Sequence, residues 1–297
     1  MKRVHSPSSG AELERLRVKF GWDINQHTEL RDGIHITHTQ SNSKISFPEG
    51  IHHSLGDIED VSPWYVYRNE VIFSLLQRFG LTNEAIWDVG AGTGCVCRYL
   101  IQKGMSCIAV EPTADGVERA SRVAGLTTIQ GRLEDLHLRE ASLSCVGCFD
   151  VLEHLSDPSV LCQEIARVLK PGGVLLVTVP AFGWLWSSFD TETGHFARYT
   201  RRTMGKTLAG LSLEMSWSSY FMSPYVVPVF FFRTLRTLLT PRESREQVIA
   251  RSLHQIENTG GLFNALLLGL LRFELVLLSR TTIPIGSSLV CVLRKSD

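Results

Sequence analysis

From Ala85 onward, short apolar runs alternate with longer stretches of helical spacing. Ala85 to Val89, Ser106 to Val110, Thr127 to Ile129, Leu143 to Phe149 and Gly173 to Pro180 read as strands. Between them, Cys95 to Lys103, Ala114 to Val123 and Pro158 to Leu169 repeat apolar residues at the period of an amphipathic helix. Strands apolar at consecutive positions are buried on both faces. The alternation therefore predicts a doubly wound, Rossmann-like α/β fold, a parallel sheet with helices on both faces. Lys170-Pro171-Gly172-Gly173 ends the third helix, because proline cannot continue it and glycine permits the reversal.

Upstream, Trp64, Tyr67, Val71, Leu75 and Leu76 predict a helix over Pro63 to Phe79 whose apolar face packs on the sheet domain. Downstream come an aromatic, polar stretch from Phe182 to Arg201, a helix near Arg202 to Ala209 and a strand near Leu213 to Tyr220. Ser288 to Leu293 closes the chain as a further strand. Placing both late strands in the same sheet gives seven strands and four regions. Residues 1–60 are a polar, turn-rich cap, 61–221 the core, 222–286 an apolar helical insertion, and 287–297 the final core strand.

Composition narrows the function classes. The chain has 297 residues, 44% hydrophobic and 20% charged, with Lys+Arg and Asp+Glu both at 30, so it can bury a core and carries no net charge. Nothing in that balance points to a nucleic-acid partner. The seven cysteines are an odd set inside apolar runs, which suits a reducing, cytoplasmic setting. Cys145 and Cys148 have the spacing of half a zinc site but lack a second pair, so they read as structural. Met1 to Gly21 lacks the apolar core of a signal peptide, and export is not expected. Tyr220 to Leu239 and Leu262 to Leu278 are strongly apolar. Pro224, Pro228, Arg233 and Arg236 interrupt the first and Arg272 and Glu274 the second, favouring peripheral membrane contact over spanning.

A strand ending near Asp88, followed by Gly90, Ala91, Gly92 and Gly94, puts a tight turn at the carboxyl edge of the sheet, where α/β folds bind ligands. Small side chains there let a ligand touch the main chain. Glu111 ends the next strand, where a carboxylate can accept from both hydroxyls of a ribose. The spacing is Gly-x-Gly-x-Gly, with Cys95 in the place of a third dinucleotide glycine. With acidic Asp88 beside the loop, this suits a cationic ligand with an amino-acid tail better than a pyrophosphate.

These residues resemble a known family. Ile86-Trp87-Asp88-Val89-Gly90-Ala91-Gly92-Thr93-Gly94 is similar to motif I of the class I S-adenosylmethionine-dependent methyltransferases. Val110-Glu111-Pro112 resembles their ribose-binding motif, Gly131-Arg132-Leu133-Glu134-Asp135-Leu136 the adenine-side loop, and Phe149-Asp150-Val151-Leu152-Glu153-His154-Leu155 the motif after the fourth strand. Leu169-Lys170-Pro171-Gly172-Gly173 resembles the turn into the fifth, so the likeness covers roughly Glu84 to Pro180. It implies S-adenosylmethionine as cofactor, held by Asp88, Gly90, Ala91, Gly92, Gly94, Glu111, Pro112, Leu133, Glu134 and Asp150. Arg132 stands where many relatives have Asp, which leaves the adenine contact to the Leu133 backbone or the Glu134 side chain. Trp64-Tyr65-Val66-Tyr67-Arg68-Asn69 and Gly194-His195-Phe196-Ala197-Arg198-Tyr199-Thr200 are similar to segments of a bacterial subgroup, the type 11/12 methyltransferases.

Methyl transfer from a sulfonium is an in-line displacement, so the enzyme aligns the acceptor and, for a hydroxyl, removes a proton. His154, after the fourth strand, and His195, in the segment after the fifth, are the candidate bases. Either also suits a structural role, His154 by tying down the loop before Asp157-Pro158. Asp150, Glu153, His154 and His195 are similar to the metal set of metal-assisted O-methyltransferases. Asp150 replaces an expected Glu, however, and Glu153-His154 also resembles a pair in relatives without metal, so no metal is expected. Trp184, Trp186, Phe189 and Tyr199 line a hydrophobic acceptor pocket or form a lid core, and Arg198, Arg201 and Arg202 hold an acidic substrate group or start a solvated helix. The substrate-binding expectation falls on Trp186, Arg198 and Tyr199. The resulting expectation is methyl transfer to an oxygen or carbon of a small or lipid-like hydrophobic acceptor. A non-catalytic adenosylmethionine-binding or partner-binding module is the alternative, and a nicotinamide dehydrogenase is disfavoured by the loop spacing.

Overall fold

The computed structural model describes residues 24–38, 46, 59, 62–239, 248 and 261–296. The polar segment from Met1 to Gly21 and the middle of the insertion, 240–247 and 249–260, lie outside the described residues.

Five strands form a parallel sheet: β3 (Ile86–Val89), β4 (Cys107–Glu111), β5 (Thr127–Gln130), β6 (Leu143–Phe149) and β7 (Leu169–Pro180). They order as β5-β4-β3-β6-β7, so the chain reverses its direction of winding beside β3 and opens a crevice at the carboxyl ends of β3 and β6. The crossovers are α2 (Cys95–Gln102), α3 (Ala114–Ala120) and α4 (Pro158–Val168). α4 starts where Asp157 accepts from the Ser159 backbone amide at 3.0 Å and Pro158 occupies the first turn. β9 (Ser288–Lys295) runs antiparallel to β7, and β8 (Leu213–Phe221) antiparallel to β9, which completes the seven strands expected.

The sheet has two strands more. β1 (Thr28–Arg31) and β2 (Ile34–Thr37) form a hairpin, and β2 joins the edge of β5 in parallel, His35 opposite Ile129. They arise in the region read as a polar, turn-rich cap. Asp32 and Gly33 supply the two positive φ angles, 50° and 83°, of a tight hairpin turn, a signal that the surrounding polar residues obscured.

α1 (Pro63–Arg78) buries Tyr67, Val71, Ile72, Leu75 and Leu76 against one face of the sheet. α5 (Ser188–Glu192) and α6 (Arg201–Thr207) follow β7. A helical stretch over 226–239 contains a π-helical segment, Phe230–Leu235, and α7 (Gly261–Leu278) ends the apolar insertion. α7 packs on α1 through Leu267, Leu271 and Leu278. Among the described residues, no helix is long and apolar enough to cross a membrane.

Candidate active site

Each loop leaving the carboxyl ends of β3, β4, β5 and β6 contributes to one cleft of about 150 Å³. Its walls include Gly90, Gly92, Glu111, Pro112, Leu133, Glu134 and Asp150. Gly90 makes the first turn possible: its φ is 77°, and a Cβ there would sit 2.5 Å from Val151. Glu111 is buried and fixed. Its carboxylate accepts from the Gly92 amide at 2.8 Å and from the Thr113 amide and hydroxyl at 2.8 and 2.6 Å. A carboxylate has about four acceptor positions, which leaves one for a ligand donor.

The post-β6 wall is held from behind. Asp150 adopts φ 56°, rare for a residue with a Cβ, while its amide donates to Thr178 and Arg68 clamps its carboxylate at 2.7 Å. Arg68 is itself sandwiched, 5.0 Å from the Trp64 ring and 5.1 Å from the Tyr65 ring. The aromatic-Arg-Asn segment of α1 thus acts on the site through Asp150.

Three expected cofactor residues do not line this cleft. Asp88 lies beneath it, fully buried, with the Cys97 thiol 3.3 Å from one oxygen. Burial pushes its carboxyl up to about 7, against the opposing influence of that thiol and of Arg68. Ala91 sits inside the turn. Gly94 begins α2 with φ 76°, and its missing side chain admits Ala120 of α3, so it serves helix packing. Thr113, Gly131, Arg132, His154, Leu155 and Leu161 also line the cleft.

His154 belongs to that wall, and His195 meets it edge-on, ring centroids 4.7 Å apart. The segment carrying His195 is stitched to the post-β6 loop: the Phe196 amide donates to the Glu153 carbonyl at 2.7 Å, and the Tyr199 hydroxyl to the Leu152 carbonyl at 3.1 Å. Ser46 bridges both loops by donating to the carbonyls of His154 and Gly194 at 2.7 and 2.6 Å.

Asp190 organises this segment. It is fully buried and accepts from the Ser187 amide at 2.9 Å, from Arg198 Nε at 2.7 Å and from Arg198 Nη2 at 3.1 Å. Its Oδ1 lies 2.9 Å from His195 Nδ1. Burial opposes its ionisation, but the His195 and Arg198 contacts outweigh burial and hold the carboxyl well below the usual range. An ionised Asp190 draws the proton of His195 to Nδ1 and leaves Nε2 as an acceptor. Sequence reading missed Asp190; the Ser187-x-x-Asp190 capping pattern was visible, its link to His195 was not.

Glu153, His154 and His195 bring one potential ligand atom each within 4.8 Å of one another, a set that could hold a metal ion. Burial and nearby Asp150 push the Glu153 carboxyl well above its ordinary value, and its Oε2 has no hydrogen-bond partner among the described residues.

The expected substrate residues are otherwise engaged. Arg198 spends its donors on Asp190 and on the Ala181 carbonyl at 3.1 Å, Tyr199 is a core residue, and Trp186 Nε1 donates to Thr191 at 3.2 Å.

Comparison with known proteins decides the class. Residues 87–177 match the family model for a methyltransferase domain, and that span contains every residue lining the cleft. Residues 87–177 carry an S-adenosylmethionine-dependent methyltransferase domain. A Mycobacterium tuberculosis protein provisionally named an S-adenosylmethionine-dependent methyltransferase is 30% identical over 156 residues, 52% of this chain and 56% of that protein. The ubiquinone biosynthesis O-methyltransferase of Haemophilus ducreyi is 32% identical over 109 residues, 33% of this chain and 46% of that enzyme. The chain thus spans about half the length of the curated relatives it matches. A structure from Galdieria sulphuraria, provisionally assigned as a sarcosine dimethylglycine methyltransferase, superposes with a TM-score of 0.52 at 20% identity. The match covers 78% of this chain and 87% of that one and concerns the fold of the methyltransferase domain alone.

Proposed function

We propose that the chain transfers a methyl group from S-adenosylmethionine to an oxygen or carbon of a small or lipid-like hydrophobic acceptor. The observation that carries this reading is the single cleft in which Glu111, the Gly90 and Gly92 main chain, Leu133, Glu134 and Asp150 converge beside His154 and His195. These residues fit the cofactor: the remaining acceptor position of Glu111 suits a ribose hydroxyl, Val110, Pro112, Leu133 and Leu161 suit a flat purine, and the glycine turn admits close main-chain approach. When bound, S-adenosylmethionine supplies an electrophilic methyl group on a sulfonium. His195, oriented by Asp190, accepts the proton of a hydroxyl acceptor at Nε2, and His154 packs against its ring. The tightly stitched loops after β6 and β7 hold that geometry and exclude water.

The lipid-like part of the reading is supported by α7. Its Leu266, Leu270, Phe273 and Leu277, spaced on one helical face, are exposed while the opposite face packs on α1. The ubiquinone O-methyltransferase likeness is consistent with a hydrophobic acceptor.

Calorimetric titration with S-adenosylmethionine and with NAD tests the reading. We expect the sulfonium to bind and NAD not to, with Glu111→Ala weakening the former at least about tenfold, the loss of one charge-assisted hydrogen bond. His195→Gln should bind cofactor like the parent and lose turnover in an acceptor screen. Binding of NAD alone, or cofactor binding indifferent to Glu111, would overturn the assignment.

A further inference from the structure

The arginines around the acceptor side fall into two groups. Arg68 is paired with Asp150 and Arg198 with Asp190, each at 2.7 Å, and Arg201 donates to the Ser218 carbonyl at 3.1 Å. Arg233 differs. Its guanidinium lies over the Phe189 ring, 4.6 Å from the centroid, and no carboxylate among the described residues pairs with it. The nearest acid in its field, Asp190, already has its oxygens occupied by His195, Arg198 and Ser187.

Arg233 is also held in place. It belongs to the π-helical segment Phe230–Leu235, a backbone form found mostly as single turns inside helices and frequently at functional sites. That segment is pinned to the region of α5: Thr234 donates to the Leu185 carbonyl at 3.0 Å, and Thr237 accepts from the Ser188 amide at 2.9 Å. Phe189, under the guanidinium, is the neighbour in sequence of Asp190, which orients His195. Burial lowers the guanidinium's pKa from its ordinary value, with Asp190 opposing and Arg198 adding to the effect. Arg233 is half-buried, and a cation partly withdrawn from water without a carboxylate beside it keeps donors that an anionic ligand can satisfy.

We propose that Arg233 is the anion-binding end of the acceptor site, so that the acceptor carries a carboxylate or phosphate beside its hydrophobic part. The apolar part then lies along Trp184, Phe230 and Phe231, whose rings adjoin one another at 5.9 and 5.4 Å and of which Trp184 and Phe231 are exposed. The proposal rests on the methyl-transfer reading. It also moves the acidic-substrate role expected of Arg198 to a residue far along the chain, because Asp190 has neutralised Arg198.

The test uses the full chain saturated with S-adenosylhomocysteine, titrated calorimetrically with octyl phosphate, octanoate and octanol. At least one anion should bind tenfold or more tightly than the alcohol, and the stronger of the two identifies the group. Arg233→Gln should bind all three at the level of the alcohol, and Arg233→Lys should keep part of the preference, with affinity for S-adenosylhomocysteine unchanged in both. Equal binding of alcohol and anions, binding of none, or a preference surviving in Arg233→Gln overturns the proposal. The S-adenosylhomocysteine titration, performed first, reports on the methyl-transfer reading by itself.

Discussion

Two acidic side chains one strand apart, Asp88 and Glu111, have opposite environments. Glu111 is ringed by two backbone amides and a hydroxyl, whereas Asp88 has a thiol as its close donor and an Oδ1 without a hydrogen-bond partner among the described residues. Because burial raises the Asp88 carboxyl to about 7, its protonated form is the one the fold favours. Its stabilising contribution is complete below the unfolded value near 4 and disappears as pH rises through about 7. Urea unfolding at pH 5 and pH 8 should therefore show the parent losing of the order of 2–4 kcal/mol more than Asp88→Asn between the two. Identical pH dependence in both proteins would mean that Asp88 ionises in the native state as it does unfolded. The same residue shows the reach of sequence reading: the acid beside the glycine turn was legible, but its burial beneath the cleft depended on α2 placing Cys97 over it.

Elements carry the next level of organisation, and α7 is the instructive case. Glu274 reads in sequence as a charge that interrupts an apolar run. In the fold it is buried and accepts from the Tyr67 hydroxyl at 2.8 Å and from the Met222 and Ser223 amides at 2.6 and 2.7 Å. It thereby locks α7 to α1 and to the turn after β8, where Met222 holds φ 61°. Replacing Glu274 by Leu keeps the apolar volume and leaves those donors unsatisfied. Denaturant unfolding should register a loss of at least about 3 kcal/mol, set by roughly 1–3 kcal/mol per orphaned buried donor. A Glu274→Leu protein as stable as the parent would show that water reaches this junction. The periodicity of α7 was visible along the chain, but the identity of its polar anchor was not, since its partners lie 207 and 52 residues away.

At the scale of the whole molecule, apolar surface remains outside the core on α7 and on the stretch over 226–239, including Val227, Phe231, Phe232 and Phe273. If the acceptor is lipid-like, this surface meets it at an interface. The parent should then sediment with anionic phospholipid vesicles, and a variant with Leu266, Leu270, Phe273 and Leu277 changed to Ser should lose at least about tenfold in partitioning, in line with the apolar area removed. Equal sedimentation of the two would remove the lipid-like part of the proposed function and leave methyl transfer intact. The sequence by itself determined the alternating strands and helices, the glycine turn, the ordered motifs from β3 to β7 and the closing strand. All of these follow from side-chain period, glycine freedom and short-range spacing, which a chain carries locally. Tertiary structure alone decided that residues 28–37 extend the sheet, that Asp190 captures Arg198 and orients His195, that Arg68 steadies Asp150, and that Arg233 stacks on Phe189 with no carboxylate partner among the described residues. Those outcomes are pairings between groups on different elements, and a charge's partner is fixed by which elements pack together, a quantity that no local pattern encodes.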